Sequence, residues 1–307
     1  VIIDHHIAPF NEDGHMILPP AEVIVNPHAE EDDDPDKSEW IDYCGAALAF
    51  RFAQRMLPGL KLRELIVLAS IATVTDVMPI LGPNAGLVRD GLEIINQGVM
   101  VPGLKLLVEA LKLSDIEEDD YGFSIGPVFN ASGRLYDNGA TKVLNVLCSK
   151  RNEVRTPFRV KSLIDTNEKR KEMVKESMKI ANILIDGQTG PIVIYHPDFH
   201  EGVIGIIAGR ITEDYHTPCI VFTDTEKEGI IKGSGRSIPE VNLKENLDKI
   251  QNLIVGYGGH AGAAGSKAGN TPSSSSLPRS GGQRSHCTAQ VLCCSDRRSP
   301  AFSQCRD

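Results

Sequence analysis

Hydrophobic and polar positions in the first half of the chain alternate between short apolar runs and longer stretches of helical period. The runs VIID and AEVIVNP are typical of β-strands, and the second ends at Asn26-Pro27, a turn signal. Helical periods follow at residues 40–56, 62–76 and 84–98. This mixture predicts an α/β domain with a mostly parallel sheet over residues 1–150.

The second half begins with a long charged stretch, residues 156–186, that keeps apolar residues at helical spacing and contains no glycine. It predicts a connecting helix within residues 151–188. Beyond it, GPIVIYH, GVIGIIAGRITEDYH and PCIVFTD follow the strand–helix–strand order of a βαβ step. We therefore expect a second, smaller α/β domain over residues 189–268.

The last part of the chain, residues 269–307, differs abruptly in composition. It is rich in serine and arginine and contains neither lysine nor glutamate, whereas the preceding body is rich in both. Such a segment lacks the apolar side chains that a core needs. It is predicted to be a disordered tail of foreign origin and is left out of the predicted fold.

Charge and hydropathy restrict the possible partners of the chain. A net charge of −9 argues against a protein that coats nucleic acid with a broad basic surface. It allows an enzyme that binds phosphates locally through metal ions and a few arginines. No stretch approaches the roughly 20 apolar residues of a membrane span, and no secretory signal is visible. The expected location is cytoplasmic, without a membrane partner.

The cysteines predict no zinc site. Three of the seven, Cys44, Cys148 and Cys219, lie in apolar or mixed surroundings and are expected to be reduced core thiols. The other four lie at residues 287–305, and none of them forms the C-x-x-C pair that is typical of structural zinc.

Candidate metal ligands lie in two places in the sequence. Asp4, His5 and His6 follow the first strand, and imidazole and carboxylate groups suit Mn²⁺, Zn²⁺ or Fe²⁺. The alternative is a chance histidine pair at a strand end. Asp76 follows a long apolar run, and a buried acid is unfavourable unless it is paired or binds metal. The alternative for Asp76 is a helix or turn cap.

Two basic motifs are candidate phosphate sites. In FNASGRL, small residues flank Arg134, whose forked guanidinium can bind two phosphate oxygens. The alternative is an ordinary turn with a surface arginine. In KGSGRS, glycines alternate with Lys232, Ser234, Arg236 and Ser237, which offer donors to an extended phosphate backbone. This spacing is not that of a P-loop, and the alternative is a polar hairpin turn.

Two further histidines lie in glycine-rich surroundings. GYGGHAGAAG predicts a strand–turn–helix unit in which His260 points at a ligand. FHEGVIGIIAGR places His200 just before a helix start, where backbone N–H groups favour anions. Its glycine spacing does not fit a dinucleotide-binding fingerprint.

Taken in order along residues 1–268, these motifs resemble the DHH phosphoesterase superfamily. DHH and GGHAGAAG are the marks of that superfamily and of its DHHA1 domain. NASGRL, FHEGVIGIIAGR and KGSGRSI favour its single-strand-specific 5′ exonuclease branch over its smaller oligoribonuclease and phosphatase members.

The resemblance implies two Mn²⁺ or Mg²⁺ ions between the DHH and DHHA1 domains, where they activate water and stabilise the attacked phosphate. It makes His5 and Asp76 metal ligands, and it gives Asp4 the role of orienting the histidines or the metal-bound water. The implied phosphate-contacting residues are His6, Arg134, His200, Ser234, Arg236 and His260, and of these His6 and His260 join Asp4 as the implied catalytic residues.

The implied function is metal-dependent 5′-to-3′ hydrolysis of single-stranded DNA in repair and recombination, with a single-strand-binding protein and a helicase as partners. Two alternatives stay open: a DHH oligoribonuclease or nucleotide phosphatase, and a non-catalytic relative that only binds nucleic acid. In this family a D-x-D motif precedes DHH, and here the only D-x-D patterns lie in the acidic loop around residues 32–36. We therefore expect a fragment with weak metal binding and severely reduced hydrolysis.

Overall fold

The computed structural model describes residues 1–11, 13–29, 40–188 and 190–269, which fall into two compact units. The first unit is Val1–Asn167 and the second begins at Glu168. The predicted acidic loop at residues 30–37, the tail from residue 270 and the four cysteines within it lie outside the described residues. Within the described part, no helix combines the length and hydropathy needed to cross a membrane.

The first unit begins with a short parallel sheet and continues as a layer of helices. Strands β1 (Ile2–Ile3) and β2 (Ile24–Val25) pair in parallel, as the apolar runs predict. The helices are α1 (Gly45–Met56), α2 (Arg63–Thr75), α3 (Gly82–Asn96), α4 (Pro102–Ala110), α5 (Gly126–Leu135) and α6 (Gly139–Leu147). A π-helical turn, Asp120–Ile125, leads directly into α5.

The core of the first unit fixes where α2 ends and α5 begins. Each fully buried aliphatic side chain contributes about 1.5–3 kcal/mol. The largest buried side chains include Tyr121, Leu104, Leu107, Ile125 and Leu163. Thr75 at the end of α2 donates through its hydroxyl to the carbonyl of Tyr121 at 3.5 Å. A Cβ atom at Gly126 would collide with Thr75, so only glycine allows α5 to start this close to α2.

The predicted connecting helix is confirmed as α7 (Thr156–Ile185), and the division between the two units falls inside it. Its first half buries Val160 and Leu163, and its second half buries Val174 and Ala181. Exposed lysine–acid pairs three or four residues apart, such as Lys171 with Glu168, lie along its surface. Such pairs contribute only about 0.3–0.5 kcal/mol each, so α7 depends mainly on its buried side chains.

The second unit is a five-stranded mixed sheet. Its strands are β3 (Ile192–Tyr195), β4 (Cys219–Asp224), β5 (Ile230–Arg236), β6 (Gly256–His260) and β7 (Ala263–Gly269), in the spatial order β3-β4-β5-β7-β6. Only β3 and β4 are parallel, joined through α8 (Ile204–Tyr215), which confirms the predicted βαβ step. A short helix, α9 (Leu243–Asp248), packs with Phe222 and Ile231 on the opposite sheet face from Ser234.

One local prediction is corrected, and two of the alternatives are excluded. GYGGHAGAAG forms the antiparallel hairpin β6–β7 instead of strand–turn–helix, because the residues after the turn alternate between exposed and buried with the period of a strand. KGSGRS lies along β5 and is not a hairpin turn. FNASGRL lies in helix α5, so Arg134 belongs to a last helical turn and not to a loop.

Candidate metal and phosphate site

Asp4, His5 and His6, here named the DHH corner, follow directly after β1. The Asp4 Oδ1 atom accepts the backbone N–H of His5 at 2.8 Å and lies 2.8 Å from Nδ1 of His6. Burial raises the pKa of Asp4, but these hydrogen bonds outweigh it and hold the pKa below its ordinary value. Ligand atoms of the three residues lie within 4.8 Å of one another.

His5 contacts the second predicted ligand, Asp76, across the fold. Its Nε2 atom lies 3.4 Å from Oδ2 of Asp76, and the two side chains are 16% and 53% exposed. Asp76 is the C-cap of α2. The predicted burial of Asp76 is therefore wrong. Asp76 occupies the helix-cap position that was the alternative. Two ligands that bind one ion at right angles lie roughly 3 Å apart, so this pair fits a shared divalent ion.

Asn26 supports the DHH corner and was missed as a site residue. Its side chain is 3% exposed, and its amide nitrogen donates to the backbone carbonyl of His6 at 2.9 Å. Its Oδ1 atom accepts the backbone N–H of His28 at 2.9 Å. The sequence marks Asn26 only as a turn signal before proline, because the partner of its amide lies 20 residues earlier.

A pocket of about 720 Å³, here named the Asp76 pocket, brings Asp76 together with Arg134. Its lining includes the polar Asn130 and the apolar Val77, Phe129, Val143, Leu144 and Leu147. Among the described residues, Arg134 has no hydrogen-bond or ion-pair partner. Burial lowers the pKa of Arg134, yet a guanidinium stays protonated at physiological pH and supplies a fixed positive charge.

In the second unit, Ser234 and Arg236 lie against the N-terminus of α8. A Cβ atom at Gly205 would lie 2.9 Å from Ser234 Oγ and 3.3 Å from a terminal nitrogen of Arg236. Because a helix N-terminus presents free N–H groups and partial positive charge, this position suits an anion. His200 lies just before the helix, where its Nδ1 atom accepts the backbone N–H of Gly202 at 3.0 Å.

His260 lies at the same end of the sheet as Arg236. Both residues pair in register with Ala263 of the intervening strand β7, so all three point to one face. His260 is exposed. The other two polar residues of KGSGRS have partners within the unit: Lys232 forms an ion pair with Glu201 at 2.8 Å, and Ser237 donates to the carbonyl of Val241 at 2.7 Å.

The predicted site residues thus form one group in each unit. The first unit holds Asp4, His5, His6, Asp76 and Arg134, and the second holds His200, Ser234, Arg236 and His260. Their catalytic and binding roles stay predictions.

Comparison with known proteins gives the family. Residues 188–275 match the model of the DHHA1 domain. The single-stranded-DNA-specific exonuclease RecJ of Escherichia coli is 33% identical, over 86% of this chain and 48% of that protein. The RecJ of Bacillus subtilis is 30% identical, over 86% of this chain and 32% of that protein. This chain is a RecJ-like DHH/DHHA1 protein.

Solved structures agree with this RecJ-like assignment. RecJ from Thermus thermophilus in complex with Mn²⁺ superposes with a TM-score of 0.73 at 26% identity, covering 90% of this chain and 39% of that one. An exonuclease RecJ bound to manganese gives a TM-score of 0.71 at 26% identity, over 94% and 68% of the two chains. The α/β fold is thereby confirmed. The RecJ-like chain spans about half the length, or less, of the curated relatives it matches.

Proposed function

We propose that this chain carries part of the catalytic centre of a metal-dependent exonuclease that degrades single-stranded DNA from 5′ to 3′. The observation that carries the proposal is the 3.4 Å contact between His5 Nε2 and Asp76 Oδ2, which joins residues from the two candidate metal motifs. The names of the relatives support the substrate, and the Mn²⁺ and Mg²⁺ complexes of the structural neighbours support the metal.

The residues of the first unit fit a divalent ion of this kind. His5 and Asp76 would hold it with an imidazole nitrogen and a carboxylate oxygen, which are suitable ligands for Mn²⁺. The ion would supply Lewis acidity at the attacked phosphate and a more acidic bound water. Asp4 orients His6 towards the substrate phosphate, and Arg134 neutralises phosphate charge from the adjoining pocket.

The second unit contributes phosphate donors in this proposal. Ser234 and Arg236 lie at the N-terminus of α8, and His260 lies at the same sheet end. Hydroxyl, guanidinium and imidazole groups together can bind the backbone of a strand without reading its bases. A role in repair and recombination, beside a single-strand-binding protein and a helicase, belongs to the same proposal.

The number of ligands limits the expected activity. In the described part of the chain, the converging donors are the His5–Asp76 pair with Asp4 and His6 nearby. Two adjacent ions repel each other and need bridging carboxylates. We therefore propose that the chain alone binds one ion weakly and hydrolyses DNA slowly.

The test is hydrolysis of a long 5′-labelled single strand and of a trinucleotide, with Mn²⁺ and a large excess of the chain. The proposal expects slow Mn²⁺-dependent release of nucleotides from the long strand, which His5→Ala abolishes and His15→Ala, at an exposed histidine, does not. Preference for the trinucleotide would favour an oligoribonuclease. Binding of the strand with an affinity that neither EDTA nor His5→Ala changes, without any hydrolysis, would favour a non-catalytic binding protein.

A further inference from the structure

Asn84, in the first turn of α3, joins two segments that lead to the candidate metal ligands. Its side chain is 1% exposed, and its amide nitrogen donates to the backbone carbonyls of Asp42 at 2.8 Å and Pro79 at 3.0 Å. A carboxylate has no N–H group and a hydroxyl has one O–H, so neither could replace this double donor. The Oδ1 atom of the amide is buried without a hydrogen-bond partner in the described part of the chain, so the two N–H bonds are what favours an asparagine here. Asn84 therefore ties the chain before α1 to the chain after α2.

The first of these two segments leads to His5. Asp42 closely precedes Gly45, the first residue of α1, where a Cβ atom would lie 3.7 Å from the ring of His5. Between them lies Cys44, which is buried and whose Sγ atom lies 3.7 Å from Oγ1 of Thr73 in α2. The hydrogen bond from the amide to Asp42 thus helps to fix the place where the start of α1 meets the His5 ring.

The second segment begins at Asp76 and is strained. The backbone N–H of Val77 donates to the carbonyl of Val74, and that of Met78 donates to the carbonyl of Thr73, both at 3.1 Å. These are the bonds of a Schellman motif, whose left-handed residue is usually glycine. Here that residue is Val77, with φ +58°. A β-branched residue is strained in this conformation and keeps it only where the surrounding structure holds it.

We propose that Asn84 is a positioning residue that sets the separation of His5 and Asp76. Its bond to Pro79 holds the strained turn after α2, and its bond to Asp42 holds the start of α1 against the His5 ring. Without the amide, the strained turn can relax and Asp76 moves away from its 3.4 Å contact with His5. The inference rests on the proposed function for the metal that the two ligands would share. The arrangement of the ligands is a property of the chain itself.

Calorimetric titration of the full chain with Mn²⁺ gives the first readout. Asn84→Ala should lower the affinity roughly 10- to 100-fold, as loss of the groups that orient metal ligands does. Asn84→Ser keeps one donor, so its affinity should be intermediate, and it replaces Asn84→Ala in the comparison if that variant does not fold.

Asn96, the last residue of α3, provides the matched control. Its amide also makes two hydrogen bonds to backbone, with the N–H and the carbonyl of Ile116 at 2.8 and 2.9 Å. It lies about 18 Å along the helix from Asn84. Asn96→Ala and Asn96→Ser should lower the stability of the protein and leave the Mn²⁺ affinity unchanged.

The ring resonances of His5 in a ¹H–¹³C NMR spectrum give a second readout, which needs no metal. In EDTA they report the contacts of His5 with Asp76 and with the start of α1, and His5→Ala identifies them. Both Asn84 variants should shift these resonances, and both Asn96 variants should leave them unchanged. A loss of stability alone would not shift them, because the molecules that stay folded would keep the same contacts.

Val77→Gly tests the strained turn. Glycine relieves the strain at the left-handed position, so the end of α2 should depend less on the amide of Asn84. Asn84→Ala should therefore lower the Mn²⁺ affinity several-fold less in the Val77→Gly protein than in the wild type, which a double-mutant cycle measures. Equal losses in the two proteins would overturn this route from Asn84 to Asp76.

The two readouts distinguish failure of this inference from failure of the proposed function. A Mn²⁺ affinity and His5 resonances that the Asn84 variants leave unchanged, or that the Asn96 variants change equally, would overturn the positioning role and leave the proposed function standing. Conversely, His5 resonances that depend on Asn84 in a chain that binds no Mn²⁺ would refute the metal site and keep the positioning role.

Discussion

Asp4 is the residue that organises the DHH corner. One carboxylate oxygen accepts the N–H of His5 and lies within hydrogen-bond distance of the His6 ring. These bonds favour the charged carboxylate, which is why its pKa is lowered despite burial. A fixed carboxylate in turn fixes the orientation of the imidazole that it contacts.

Replacement of Asp4 by asparagine should weaken Mn²⁺ binding more than it affects folding, because it removes a negative charge whose oxygen lies within 4.8 Å of the ligand atom of His5. Loss of a partner that surrounds the metal ligands typically lowers metal affinity 10- to 100-fold. Calorimetry measures the affinity, and circular dichroism checks that the fold is retained. An unchanged Mn²⁺ affinity in a folded Asp4→Asn protein would show that Asp4 does not support the metal site.

The three described cysteines should differ in reactivity. Cys44 and Cys219 are buried, and burial raises the pKa of Cys219 to about 12, whereas Cys148 is exposed, contrary to its predicted core position. Only the thiolate reacts with iodoacetamide, so a raised pKa leaves almost none of the reactive form at pH 8. Peptide mass mapping of the native protein should find Cys148 alkylated and the other two protected. Rapid labelling of Cys219 would contradict the burial of β4.

At the scale of elements, the secondary structure of long segments with helical spacing was predictable from the sequence. The secondary structure of the glycine-rich segments was not. The pattern of residues 156–186 predicts α7 closely, because apolar residues at helical spacing over thirty residues are typical of a helix and not of a strand. The β6–β7 hairpin contains too few large apolar residues to show a period, so its neighbour β5 decides its structure. The contact of His5 with Asp76 joins residues 71 positions apart, and only the family resemblance pointed to it.

Helices α5 and α6 approach each other so closely that a larger residue at the contact should destabilise the protein. A Cβ atom at Gly139, the first residue of α6, would collide with the backbone of Ser132 in α5. Gly139→Ala should therefore destabilise the protein by about 1–3 kcal/mol, as overpacking does. Gly86→Ala, where α3 has open space, should instead stabilise it by about 0.5–1 kcal/mol. Urea unfolding measures both, and equal effects of the two variants would contradict the packing.

At the scale of the whole molecule, the candidate functional residues are divided between two units. The predicted domain bounds, 1–150 and 189–268, place a separate connector at residues 151–188. In the structure the two units meet inside α7, between Asn167 and Glu168. The sequence pattern could not show this, because the same charged helical pattern runs through both halves of α7.

The central claim is that His5 and Asp76 are ligands of one divalent ion, and calorimetric titration of the chain with Mn²⁺ tests it most directly. We expect a single weak site that disappears in His5→Ala and in Asp76→Asn and persists in His15→Ala. Two tight sites lost with His5 would refute the expected shortage of ligands. Mn²⁺ binding that is unchanged in both ligand variants would contradict the metal site itself.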